Sequence, residues 1–287
     1  MKLGISTYSL YQALSKGEMT IIDVIRFAAE IGSEHLEIVP LGFPLHDNPE
    51  LIGAIRQEAQ ANGLVLSNYA VGANFADLDD EALEQEIARV KREVDIASAL
   101  GIRLMRHDAA SSADVSLGHY IAELPRLTAA CRDIADYAMS KGITTSVENH
   151  GFFLQRSERV ASLVQAVGRS NFRTTLDIGN FLCADEDPVL AVANNISIAS
   201  MVHFKDFYRR PSRLNPGAGW FRTSGGSWLR GAIVGHGDLD LPEIVRIVKQ
   251  SGYDGYISIE FEGMEDCRTG TRLGLECARR LWNETNV

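Results

Sequence analysis

Short apolar runs and longer stretches with apolar residues at helical spacing alternate along the whole chain. From Lys2 to Ser9, Leu3, Ile5 and Thr7 alternate with Gly4, Ser6 and Tyr8, the period of a β-strand. Ile21, Val24, Ile25, Ala28 and Ala29 then fall on one helical face, and Gly32 closes that helix. The same alternation predicts strands at His35 to Pro40, Leu64 to Gly72 and Ile102 to Asp108, and others ending near Glu148, Asp177, His203 and Glu260. Helices are predicted from Pro49 to about Ala61, Asp79 to Leu100, Leu117 to Lys141 and Ser157 to Val167. Further helices are predicted at Asp187 to Asn194, Leu241 to Ser251 and Arg268 to Asn283. Between Tyr208 and Gly237 no period is visible, and an insertion of about 208–237 is expected over the mouth of the fold.

Repeated strand-then-helix units imply parallel strands, and eight of them imply closure into a (β/α)8 TIM barrel. An open doubly wound sheet would carry a phosphate-binding glycine fingerprint after its first strand, which is absent here. Barrels of this kind use about 250 residues as one domain, and no linker or low-complexity run divides residues 1–287. The active site is then expected at the C-terminal mouth.

Four strand ends in the second half carry metal-capable side chains: Glu148, Asp177, His203 and Glu260. Period-two alternation puts Ser146, Glu148 and His150 on one face, and likewise Met201, His203 and Lys205, and Ser258, Glu260 and Glu262. These polar sets cannot face the helix layer, so they face the barrel axis near its mouth. Three carboxylates brought together there need a cation. Three hard oxygen donors and one imidazole suit Mn²⁺ first, with Mg²⁺ or Co²⁺ as alternatives, over a thiolate-rich zinc site. Glu262 lies one step nearer solvent than Glu260.

A net charge of -10 argues against a nucleic-acid partner and leaves a small molecule as the expected ligand. Cys131, Cys183, Cys267 and Cys277 show no CxxC pairing and read as free thiols of a reducing compartment. No signal-peptide pattern and no run of roughly 20 apolar residues is present, so a cytoplasmic protein without a membrane partner is expected. Exposed barrel helices often mediate homo-oligomers, but the sequence fixes no number.

Glu148-Asn149-His150, Asp177-Ile178-Gly179-Asn180, His203-Phe204-Lys205-Asp206, the stretch Gly235 to Asp240 and Ser258-Ile259-Glu260 resemble the sugar phosphate isomerase/epimerase group. This group of xylose-isomerase-like barrels includes ketose 3-epimerases, hydroxypyruvate isomerases and inosose dehydratases. The resemblance implies Glu148, Asp177, His203 and Glu260 as ligands of one divalent ion, with Glu148 and Glu260 as the acid/base pair. It implies a sugar or keto-sugar isomerase or epimerase that abstracts a proton beside a carbonyl. The alternative is a lyase on the same enediolate, of the inosose dehydratase or 3-keto-glycoside β-elimination type. Those epimerases commonly carry a histidine where this chain has Asn180. His107, His150, Asn180, Lys205, Trp220, Arg222, Arg230 and His236 are the expected substrate contacts.

Overall fold

A computed structural model describes residues 2–286, so Met1 and Val287 of the expected 1–287 domain lie outside the described residues. The barrel strands are β1 (Lys2–Ser6), β2 (His35–Ile38), β3 (Val65–Val71), β4 (Leu104–His107), β5 (Thr144–Glu148), β6 (Phe172–Asp177), β7 (Ala199–Phe204) and β11 (Tyr256–Ile259). All are parallel and close in the order β1-β11-β7-β6-β5-β4-β3-β2. The helices are α1 (Tyr11–Ser15), α2 (Ile21–Glu30), α3 (Pro49–Ala61), α4 (Asp80–Leu100), α5 (Leu117–Met139), α6 (Ser157–Val167), α7 (Pro188–Asn195), α8 (Leu241–Gln250) and α9 (Cys267–Glu284).

Local signals account for the punctuation. Thr20 and Asp23 form a reciprocal capping box at the start of α2. Pro49 sits in the first turn of α3 behind the Asn48 cap. Two elements depart from the expected pattern. The first strand stops at Ser6 instead of Ser9, because Ser6 caps a 3₁₀ turn (Thr7–Leu10) that leads into α1. The stretch without period folds as a three-stranded antiparallel sheet of β8 (Asp206–Arg210), β9 (Phe221–Arg222) and β10 (Trp228–Ala232), ordered β8-β10-β9. Its inner face, Phe207 and Leu229, packs on Leu182 and Cys183.

The alternation along each barrel strand sorts side chains as expected. Val147, Leu176, Val202, Phe204, Ile257 and Ile259 are fully buried against the helix layer. The axis side is polar and stacked in levels. At the bottom, His35 accepts a hydrogen bond from Ser67 Oγ at 2.8 Å and donates Nε2–H to Ile257 O at 3.0 Å. Gly4 makes this ring possible, since a Cβ there would lie 2.6 Å from it and 2.3 Å from the His35 carbonyl oxygen. Higher up, Ser146 Oγ and Thr175 Oγ1 hydrogen-bond at 2.8 Å. The next level up carries the candidate site.

No helix among the described residues is long and apolar enough to cross a membrane. The four cysteines are free; Cys131, Cys183 and Cys267 are buried.

Candidate metal centre

Asp177 and His203 are directly paired in the β6/β7 register, and Glu148 and Glu260 end β5 and extend β11 beside them. Each of the four offers a ligand atom, and these atoms all lie within 4.8 Å of one another. Exposure is 2% for Glu148, 0% for Asp177 and His203, and 3% for Glu260, so water cannot neutralise them.

The surroundings aim each group inward. Asp177 Oδ1 accepts from the Gly179 and Asn180 amides at 2.8 and 2.9 Å, which turns Oδ2 toward the centre. Asn149 bonds the Asp177 backbone carbonyl and amide, at 2.8 and 2.9 Å, fixing the β5 end to the β6 end. His203 Nε2 lies 3.0 Å from Glu37 of β2. An ionised Glu37 has no proton to give, so His203 donates Nε2–H and keeps its lone pair on Nδ1. That lone pair points at Glu148 Oε1, Glu260 Oε1 and Asp177 Oδ2, at 3.6, 3.7 and 3.9 Å.

A lone pair facing three carboxylate oxygens is unfavourable unless a cation lies between them. Asp177 Oδ2 and His203 Nδ1 are both buried without a hydrogen-bond partner. Burial raises the Asp177 carboxyl to about 6, Lys205 opposes the shift, and Glu260 and Glu148 add to it. Burial would lower the His203 imidazole, but Glu37, Glu260 and Glu148 raise it well above its ordinary value. Both shifts report the same demand for positive charge. The donor set of three carboxylates and one imidazole therefore fits one divalent ion.

Two cations flank the centre. Arg106 of β4 lies 2.6 Å from Glu148 Oε2. Burial would raise the Glu148 carboxyl, but Arg106 and His203 hold it well below the usual range. Lys205 Nζ lies 2.6 Å from Glu260 Oε2 and 3.3 Å from Asp177 Oδ2. Burial would lower the Lys205 ammonium, but Asp177, Glu260 and Glu262 raise it well above its ordinary value. Four carboxylates (Glu37, Glu148, Asp177, Glu260) and two cations occupy this buried layer. With His203 neutral, the excess is two negative charges, which one divalent ion balances.

A cleft of about 270 Å³ opens above the centre, lined by Arg106, Asp108, Glu148, His150, Lys205, Glu260 and Glu262 on the side of β4, β5, β7 and β11. Tyr8, Val39, Pro40, Leu41, Ala70, Val71 and Gly72 line it from the side of β1, β2 and β3. His150 lies 3.4 Å from Asp108 Oδ2 and is half-exposed. Asn180 donates to Glu148 Oε1 at 3.1 Å and accepts from Lys205 Nζ at 3.3 Å.

Six expected substrate contacts do not line the cleft, and one of them, Asn180, is buried beside Glu148 and Lys205. His107 faces the helix layer between Phe75 and Phe172, because the inward position on β4 falls to Arg106, which pairs with inward Ser146. Trp220, Arg222, Arg230 and His236 do not line the cleft. Arg230 stacks on Tyr208, Arg222 stacks on Trp228, and Arg210 and Arg230 both lie over Trp220, so the aromatic rings of the small sheet are occupied by its own guanidiniums. His236 is exposed in the turn before α8. Glu37 and Asn68, which donates to Glu37 at 2.7 Å, were not foreseen. A carboxylate between Leu36 and Ile38, in a strand buried on both faces, was the available signal.

Residues 25–281 match the xylose isomerase-like TIM barrel family, and the chain belongs to it. It is 24% identical over 272 residues to a human protein named "Putative hydroxypyruvate isomerase", covering 88% of this chain and 87% of that one. A D-psicose 3-epimerase from Clostridium cellulolyticum H10, solved with D-tagatose, superposes with a TM-score of 0.73 at 17% identity, covering 98% of this chain and 99% of that one. The "probable 3-DHS dehydratase AsbF" from Bacillus anthracis superposes with a TM-score of 0.72 at 18% identity over the full length of both chains. At these identities the solved structures bear on the fold alone.

Proposed function

We propose that this protein is a divalent-metal-dependent isomerase or epimerase of a sugar or keto-sugar, acting by proton abstraction beside a carbonyl. The observation that carries the reading is the buried quartet Glu148, Asp177, His203 and Glu260, set in a layer where, with Glu37, Arg106 and Lys205 counted, two negative charges are in excess. These four residues would hold the ion, Mn²⁺ before Mg²⁺ or Co²⁺. Bound there, it supplies Lewis acidity that stabilises charge developing on a carbonyl oxygen.

Glu148 and Glu260 both border the cleft and reach it from different strands, so they serve as the acid/base pair. Each has its own counter-ion, Arg106 for Glu148 and Lys205 for Glu260. One carboxylate takes the proton from one face of the substrate and the other returns it on the opposite face. Lys205 borders the cleft where a substrate oxygen would bind, and the buried Asn180 joins it to Glu148 from behind.

A specific feature supports the lyase as a second reading. His150 borders the cleft with Asp108 behind it, and the hydrogen bond to Asp108 raises the imidazole against burial. Such a histidine is placed to protonate a leaving group in a β-elimination.

The test is hydrogen exchange in D₂O with Mg²⁺- or Mn²⁺-loaded protein and panels of ketoses, inososes and 3-keto-glycosides, read by proton NMR after metal removal. Deuterium entering beside the carbonyl, and lost in both Glu148→Gln and Glu260→Gln, supports enolisation. The product then separates epimer from elimination. No exchange with any of these substrates, despite stoichiometric bound metal, defeats the reading.

A further inference from the structure

The cleft is chemically divided, and the division follows the strand order. Every charged lining residue comes from the arc β4, β5, β7 and β11, while the contiguous arc β1, β2 and β3 contributes Tyr8, Val39, Pro40, Leu41, Ala70, Val71 and a glycine. A free sugar carries hydroxyls around its whole ring, and each one buried without a partner costs the full desolvation of that group. The apolar arc has few partners to offer. Val39 N–H donates to Thr7 Oγ1 at 2.8 Å, and Val39 O accepts from Thr7 Oγ1 and from Leu41 N. Pro40 has no N–H. Val71 O accepts from Asp108 N and from Arg106, and Gly72 O accepts from Arg89. The Tyr8 hydroxyl is engaged with Glu262 at 3.2 Å.

The apolar surface also continues outward. Leu41 is 41% exposed at the rim, and Tyr11, 42% exposed, lies parallel to the Tyr8 ring at 6.3 Å. Arg106 and Lys205, the cations that reach the cleft, are each already paired with a buried carboxylate, and one divalent ion completes neutrality. His150, the remaining candidate cation among the described lining residues, faces Asp108, so each is matched by a carboxylate and none is left over for a phosphate dianion.

We infer that the substrate is an uncharged, amphipathic ketone: a polyol ring whose oxygens face the charged arc and whose aryl or alkyl substituent lies on Tyr8, Val39 and Leu41. This deepens the proposed enolisation reading and rests on it for the placement of the ketone. It places the recognition of an apolar group on the β1, β2 and β3 side of the mouth.

Binding and reaction are measured separately on the metal-loaded protein. Calorimetric titration of a phenyl and a methyl glycoside that carry a hydroxyl in place of the 3-ketone into the metal-loaded wild-type protein reads the wall without turnover. The phenyl compound is expected to bind roughly tenfold or more tightly, as filling a hydrophobic pocket allows. Leu41→Gln, a change at a rim position, and the near-isosteric Val39→Thr should each remove most of that preference, lowering phenyl-glycoside affinity far more than methyl-glycoside affinity. Equal affinities, or a preference that survives both substitutions, overturn the inference. So does a 6-phosphate ester binding better than its neutral parent. Exchange in D₂O with the wild-type protein then separates the two readings. A phenyl preference in binding without exchange sinks only the enolisation, and exchange that is fastest with free ketose sinks only the amphipathic substrate.

Discussion

Glu37 of β2 reaches across the barrel to His203 of β7, both of its oxygens lying 3.0 Å from Nε2. The contact joins residues from opposite halves of the chain and fixes the imidazole tautomer, so that Nδ1 faces the three carboxylates. Burial would raise the Glu37 carboxyl, but His203 and the Asn68 amide hold it below its ordinary value, which keeps it an acceptor. Glu37 is a positioning residue. Glu37→Gln should weaken divalent-ion affinity by about 10- to 100-fold, the usual effect of losing a ligand's supporting carboxylate. Calorimetric titration with Mn²⁺ checks this, and unchanged affinity would rule the role out.

Protons and a divalent ion held by the quartet would compete for the same atoms. Asp177 is raised to about 6 in the folded protein, above its ordinary 3.8, and His203 is raised well above 6.5. A raised folded-state value stabilises the metal-free protein at low pH, and the benefit is lost as pH climbs through that value. The increase in Tm on adding Mg²⁺ to EDTA-treated protein should therefore grow from pH 5 to pH 8. At about a hundredfold excess over Kd the ion adds about 2.7 kcal/mol, several degrees for a chain of this size. A flat or falling increment over that range would be the contrary result.

Lys205 and Arg106 are expected to respond differently to removal. Lys205 lies between Asp177 and Glu260, where its ammonium competes with an added cation. Lys205→Met should keep or tighten Mn²⁺ binding while losing exchange activity. Arg106 holds an oxygen of Glu148 and does not lie among the ligand atoms. Arg106→Met should lower kcat by roughly 10- to 100-fold, leaving the metal stoichiometry intact. Parallel metal titrations and exchange rates tell the two apart, and identical behaviour would refute the assignment.

At the bottom of the barrel, His35 is kept neutral. Burial lowers it to about 4, against the hydrogen bond to Ile257 O. A lowered folded-state value means that stability is lost as pH falls from 6.5 toward 4, on the order of 3 kcal/mol in all. Denaturation midpoints should fall over that window, and His35→Gln should flatten the slope. Gly4→Ala, which places a methyl 2.6 Å from the ring, should cost about 1–3 kcal/mol at every pH.

The barrel was legible because each strand and helix carries its own period, and the quartet because each ligand stands at the polar end of an apolar run. Glu37 lacked that mark: it lies inside a strand, and its partner is 166 positions away. His107 and Arg106 are adjacent, so a shift of one residue decides which faces the axis, and only the pairing with Ser146 settles it. The insertion was hard to read for a different reason. Its aromatic residues and arginines have the composition of a sugar-binding loop, yet they satisfy one another across a small sheet.

Asp206 holds that insertion at its neck. Its carboxylate accepts from the amides of Phe207 at one end and of Gly235, Gly237 and Leu239 at the other. Gly237 is required there, since a Cβ would lie 2.1 Å from Asp206 Oδ1. One side chain thus closes a long excursion into a short circuit, while Leu182, Cys183 and Asp185 after β6 and Gly263 after β11 hold the excursion down on the barrel. The small sheet is therefore a clasped canopy: the Asp206 clasp fixes its two ends just past His203, and its apolar underside seals the β6 side of the mouth.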